Sequence, residues 1–328
     1  MKTISFKEVF ELADTQTDTS NISDFAGQIW SQKIVQYGEA LRRLDQGCAI
    51  YKELIGNGGI TLTIPKTTSH KDVDTAKSGG EAGARDHTAL DNLDGVDFTF
   101  AATDFKQGDV TVTKAAEMTT MIDLVAQARY VVANAIAQDS DTAIATALQS
   151  TSVTNVLWGG DATGVDSLEA GDVLTPDLIA NAMQMIEAND FVPDLLFVNT
   201  KQIRDLRKDS QFVNASEYGS DRVVLKGEIG EYLGVKVIAT TNTPTYAATA
   251  TDTNESTTLW AVAGNACIMT GKDKFGKNVG GALVWKEMPK IGYEYEMEKN
   301  LHHVYYDQTF KAGIVQAGAI CLIKVAQD

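Results

Sequence analysis

Ile60-Thr61-Leu62-Thr63-Ile64-Pro65 alternates apolar and polar residues like a strand, and Val96-Asp97-Phe98-Thr99-Phe100 alternates in the same way. Between them lies Lys77-Ser78-Gly79-Gly80-Glu81-Ala82-Gly83-Ala84-Arg85, a polar, glycine-rich stretch with too few apolar side chains to bury a core of its own. Together they read as a long two-stranded excursion with a polar tip. An isolated hairpin of that kind is marginal in water, so it needs a neighbour.

Downstream, Asp109-Val110-Thr111-Val112-Thr113 is a third short alternating run. Residues 114–150 then contain no proline or glycine. Met118, Ile122, Val125, Val132, Ile136, Ile144 and Leu148 recur at helical spacing, broken at Arg129, with alanines between. The pattern predicts one helix over about 114–148, which at 1.5 Å per residue would span roughly 50 Å. Its narrow, alanine-rich stripe suits close approach to a sheet; a coiled coil is the alternative, but strict heptads are absent. Upstream, Phe25, Ile29, Trp30, Ile34, Tyr37, Leu41 and Leu44 predict a helix beginning at Ser23 or Asp24, after a polar, loosely ordered arm.

A polar loop over 159–172 leads to an α/β-like half. Thr175-Pro176-Asp177 reads as a helix start, with a capping threonine and proline at the first helical position. Leu195-Leu196-Phe197-Val198 reads as a buried strand, and Thr200 as the cap of a helix through Arg207. Val235-Lys236-Val237-Ile238-Ala239 predicts a strand, residues 249–258 a polar tip, and Trp260-Ala261-Val262-Ala263 another strand. In Tyr293-Glu294-Tyr295-Glu296-Met297-Glu298, period-two alternation places the three glutamates on one strand face. The chain closes on an apolar strand, 317–325.

Signals for catalysis are weak. Gly227-Glu228-Ile229-Gly230 lacks the Lys-Ser/Thr of a phosphate loop and precedes a strand instead of a helix. His302 and His303 are adjacent, so on a strand they point to opposite faces and cannot chelate one metal; a solvated or interface role fits them better. Asp139 and Asp141 do not converge on a helix. Glu294, Glu296 and Glu298 could hold a hard divalent cation, but water and a neighbouring chain's lysines compensate them more simply. Cys48, Cys267 and Cys321 show no metal or disulfide spacing. No catalytic residue, cofactor or metal is assigned.

The chain has 328 residues, enough for one large or two modest domains, and a net charge of −16. That acidity disfavours sequence-specific DNA binding, which needs a basic face, yet suits a container that encloses DNA without adhering to it. A balance of 21 Lys to 7 Arg does not favour a halophile. The N-terminus lacks the features of a secretory signal and no apolar run could span a bilayer, so a soluble, cytoplasmic product without a membrane partner is expected.

The order of elements (helical arm, long polar hairpin, very long helix, α/β unit, closing strands) resembles the Hong Kong 97-like major capsid proteins of tailed phages and related archaeal viruses. Pro193-Asp194-Leu195-Leu196-Phe197-Val198-Asn199 with the following helix looks like that family's strand–helix pair. Residues 225–238 are similar to its recurrent glycine-rich segment, with Lys236 where proline is common, and Gly318-Ala319-Ile320-Cys321-Leu322 resembles its closing strand. The resemblance implies an α+β fold with an N-terminal arm (1–59), an extended β-hairpin loop (60–113), a peripheral domain with a spine helix (114–174), an axial domain (175–290) and C-terminal strands returning to the peripheral domain (291–328). It implies a shell protein that is not an enzyme, assembled in the host cytoplasm as hexamers and pentamers and residing in the virion. Partners would be other copies, with a separate scaffolding protein, portal and decoration proteins as further candidates. Lys71, Lys77, Glu81, Arg85, Asp86, Glu294, Glu296 and Glu298 are the candidate inter-subunit contacts. Lys71 or Lys77 could serve as a crosslinking lysine, but no partner motif matches. An encapsulin-like compartment shell and a soluble α/β enzyme using the turn near Gly227 are the alternatives.

Overall fold

A computed structural model describes residues 43–67, 93–119, 123–208, 231–255 and 257–327. A 3-10 turn, Leu44–Gly47, leads into β1 (Cys48–Tyr51), β2 (Thr61–Thr67), β3 (Leu93–Thr99) and β4 (Phe105–Thr113). Helices α1 (Lys114–Thr119) and α2 (Leu124–Leu148) follow, then β5 (Val156–Trp158), α3 (Pro176–Glu187), β6 (Val192–Val198) and α4 (Thr200–Lys208). The chain continues through β7 (Glu231–Tyr232), β8 (Val235–Ala239), β9 (Thr245–Tyr246) and β10 (Gly264–Lys272). It ends with β11 (Gly281–Glu296), β12 (Leu301–Ile314) and β13 (Ile320–Ala326).

These strands form three sheets. The expected excursion is an antiparallel pair, β2–β3, in register from Thr61 opposite Thr99 to Thr67 opposite Leu93. Its base does not stand free, because Ile64, Phe98 and Phe100 pack with Leu54 on Ala282 and Val284 of β11. The second sheet has the order β1-β11-β12-β4, with α2 laid across it. Ala128, Val132 and Ile136 of α2 meet Val304 of β12, and the small Ala128 permits the close approach its stripe predicted. The third sheet runs β5-β13-β10-β6-β8-β7, with β9 also on β10. Ile320 and Leu322 of β13 face a core shared with Ile144, Leu148, Trp285 and Phe310. Cys321, Ile323 and Val325 face α3 and α4 on the other side. Burial on both faces explains why β13 and β6 read as continuous apolar runs rather than alternating ones.

Several local expectations are corrected. The long helix is not continuous: Asp123 is an extended-backbone N-cap whose side chain accepts from the Ala126 amide, so a new helix starts at Leu124. The absence of proline and glycine did not protect it, because an aspartate can cap as well as continue a helix. The 25 residues of α2 span about 37 Å. At α4 the cap belongs to Asn199, whose Oδ1 accepts from the Lys201 amide and the Thr200 hydroxyl. Thr175 does cap α3, accepting from the Leu178 amide. The strand expected at 260–263 is absent, and β10 begins at Gly264. A Cβ at Gly264 would fall 2.1 Å from the Trp260 ring, so the tryptophan folds back over the strand start. The helix expected from residue 23 or 24 lies outside the described residues except at Leu44, which is buried in a 3-10 turn.

The sheets also cut across the expected segments. β1, placed in the arm, pairs parallel with β11. β4, placed in the loop, pairs with β12, and the start of β11, placed with the axial unit, belongs to the four-stranded sheet. The closing segment divides, β12 lying beneath α2 and β13 in the seven-stranded sheet. Strand pairing follows which edges are free, and this is not written in linear order.

Candidate functional site: the open sheet face and its acidic corner

In β11, β12 and β4, opposed residues share a face. His302, Val304 and Tyr306 lie opposite Tyr295, Tyr293 and Ile291, and opposite Val112, Val110 and Gly108, toward α2. The reverse face carries Glu294 and Glu296 of β11, His303, Tyr305 and Asp307 of β12, and Gln107, Asp109 and Thr111 of β4. The histidine pair is therefore split between faces, as adjacent strand residues must be. The expected solvated role fails for His302, which is buried. Its Nε2 donates to Glu117 at 3.0 Å, and its Nδ1 shares a 2.6 Å hydrogen bond with the Tyr293 hydroxyl. Glu117 also pairs with Lys114 at 2.6 Å, which, with the His302 contact, holds its carboxyl below the usual range. This cluster pins α1 to β12 just before the chain enters α2.

The three-glutamate ladder is a two-glutamate ladder. β11 ends at Glu296, and Glu298 sits in the connection to β12, exposed. Glu296 pairs with Lys299 at 2.8 Å and accepts from His303 Nε2 at 3.1 Å, which together lower its pKa. The compensation expected from a neighbour is thus supplied for Glu296 from within the chain, whereas Glu294 and Glu298 make no ion pair with a described residue. No group of three or more metal-type ligands occurs among the described residues. Lys71, Lys77, Glu81, Arg85 and Asp86 lie outside the described residues, as does the Gly227 turn.

Two polar sites escaped the sequence reading. Asp141, on the buried stripe of α2, accepts from the Arg43 and Leu44 amides at 2.9 and 3.3 Å and from Asn242 Nδ2 at 2.9 Å. Burial raises its pKa. It ties the incoming chain and the β8–β9 connection to the helix. Lys324, in the middle of β13, is 1% exposed and reaches Asp252 at 2.6 Å. Asp252 also accepts from Trp260 Nε1 at 3.1 Å, and Asn254 donates to the Ser150 and Val153 carbonyls. The expected polar tip over 249–258 therefore turns Asp252 and Asn254 inward, while Thr249, Thr251, Thr253 and Thr257 stay exposed. A lone lysine inside an apolar strand was the available signal, since a buried ammonium demands a partner. The three cysteines are buried, and burial pushes Cys267 and Cys321 up to about 12, so neither is a reactive thiolate.

A family described as phage capsid protein matches residues 96–321, more than half of the chain. The chain belongs to the phage capsid protein family. Solved structures place this capsid chain in the same architecture. A chain of Mycobacterium phage Che8 is 19% identical with a TM-score of 0.63, over 91% of this chain and 97% of that one. The capsid of the cyanophage P-SCSP1u is 12% identical with a TM-score of 0.67, over 96% and 97%. The SrpI encapsulin of Synechococcus elongatus is 8% identical with a TM-score of 0.56, over 95% and 96%. No curated protein sequence matches significantly. At these identities the structures establish the fold, which is the α+β capsid fold that the order of elements implied. Membership of the family establishes the rest: this is a major capsid protein, a structural component located in the virion capsid.

Proposed function

We propose that many copies of this chain close into an icosahedral shell around the double-stranded DNA of a tailed virus, acting by assembly rather than catalysis. The observation that carries the reading is the part of the four-stranded sheet's face away from α2 where Asp109, Thr111, Glu294 and Tyr305 stand exposed, while the other large sheet is buried on both sides. In this reading the β2–β3 excursion is the extended loop, α2 with the four-stranded sheet the peripheral domain, and the seven-stranded sheet the core of the axial domain. Lys71, Lys77 and Arg85 of one copy would reach Glu294 and Glu298 of another, and Glu81 and Asp86 would answer basic groups in return. Such contacts are individually weak, salt-sensitive and effective by number.

Size-exclusion chromatography and electron microscopy of the purified protein, alone and with any co-expressed scaffold, test this. Hexamers, pentamers or shells are expected; a stable monomer under every condition would overturn it. The likeness to an encapsulin supports a second reading, a compartment shell. Particles filled with DNA favour the first reading, and particles filled with a protein cargo the second.

A further inference from the structure

The turn between β10 and β11 carries a projection. Asp273 Oδ1 accepts from the Phe275 and Lys277 amides at 2.9 and 2.8 Å, and the Gly276 amide reaches the Asp273 carbonyl at 3.0 Å. Gly276, at φ +77°, closes the turn, and Lys272 bridges to Asn278 at its base. This hydrogen-bonded loop presents Phe275 at 88% exposure, the highest of any large apolar side chain among the described residues. Lys274 and Lys277 flank it, and neither forms an ion pair with a described residue. On a chain of net charge −16 this is a small basic island with an aromatic tip, held in shape before any partner arrives.

The face of the four-stranded sheet away from α2 holds a hollow of opposite charge. A hollow of about 350 Å³ is lined by Gln107, Asp109, Tyr305 and Asp307, with Gly108 and Tyr306 completing it. By register the first four side chains stand on the face away from α2. The hollow has an aromatic wall and two carboxylates.

We propose that Phe275 of one copy inserts into the Asp109–Tyr305–Asp307 hollow of a second copy, with Lys274 and Lys277 meeting the two aspartates. An aromatic anchor in a pocket, ringed by opposite charges, is the arrangement that concentrates binding energy and fixes orientation. Projection and hollow are different surfaces of one chain, so the contact is head-to-tail and propagates from copy to copy until it closes. The inference rests on the shell reading and names one of its contacts.

Disulfide trapping tests it. The double variant Phe275→Cys/Asp307→Cys is assembled, oxidised and run on a non-reducing gel; the native cysteines, all buried, keep the background low. A ladder of linked chains is expected from the double variant and from neither single one. Oligomers that look normal by electron microscopy yet give no ladder would overturn the contact while leaving the shell reading intact. A wild-type chain that never oligomerises would remove both. The paired charge reversals supply a second readout: Lys274→Glu/Lys277→Glu and Asp109→Lys/Asp307→Lys should each depress assembly, and mixing the two proteins should restore it. Failure of the mixture to recover, with both proteins folded, also counts against the contact.

Discussion

The two large sheets of this protein handle charge in opposite ways. The seven-stranded sheet is covered on both faces, and the one lysine at the centre of its last strand is matched by a buried aspartate, itself held by an indole N–H, and by an asparagine. The four-stranded sheet is covered by α2 on one face; on the other, β2–β3 packs at Ala282 and Val284, and the remainder bears carboxylates, His303 and Tyr305. The first answers its buried lysine from within the chain and is built for subunit stability. The second leaves groups unsatisfied by its own chain, and a surface of that kind is available to another copy.

Substitutions should separate the two sheets by size of effect. Lys324→Ala strands the buried Asp252 carboxylate and should cost about 3–5 kcal/mol of unfolding free energy in urea titrations. A companion pair, Lys324→Met with Asp252→Leu, should recover most of that loss; no recovery would mean that the Trp260 and Glu255 donors left without Asp252 cost as much as the stranded charge. Leu196→Ala, fully buried in β6, should cost about 2–5 kcal/mol. Ile291→Ala, 48% exposed on β11, should stay within about 0.5 kcal/mol in the dissociated subunit. Equal losses at the two positions would erase the contrast between the sheets. Asp123→Ala should cost about 1 kcal/mol, seen as a lower melting temperature and faster amide exchange over the first turn of α2. An unchanged exchange pattern there would mean the helix runs through.

The smallest effect is a pH dependence at the acidic corner. Glu117 and Glu296 both have carboxyls held below their ordinary 4.5. A group with a depressed folded pKa adds stability above its unfolded pKa, and that stability is lost as pH falls through the folded value. Acidification below 4.5 should therefore loosen α1 and the β11–β12 turn, while Glu117→Gln and Glu296→Gln each flatten that slope. Backbone NMR shifts of residues 114–119 and 297–300 would follow it.

The legible parts were those with a local cause. β2, β3 and β4 alternate because one face of each packs inward, and β6 and β13 run apolar because both faces do. Thr175-Pro176-Asp177 announced α3 because capping is a matter of adjacent residues. The break at Asp123 was not legible, since the same aspartate continues a helix or caps one according to what the preceding residues do. At the candidate site, alternation put Glu294 and Glu296 on one face, but the strand's end, and so Glu298's removal to a turn, depends on where β11 and β12 part.

Amino-acid order alone determined the strand and helix vocabulary, the acidic balance, the lack of any motif for catalysis and, through the order of elements, the resemblance to capsid proteins. Only the tertiary structure decided that β12 and β13, neighbours in sequence, belong to different sheets. It alone paired Lys324 with Asp252 across 72 residues and Asp141 with the amides of Arg43 and Leu44 nearly 100 residues away. Periodicity is a property of nearest neighbours along the chain. Partner choice for a buried charge depends on which distant groups reach the same dry volume, and that becomes defined only when the sheets have formed.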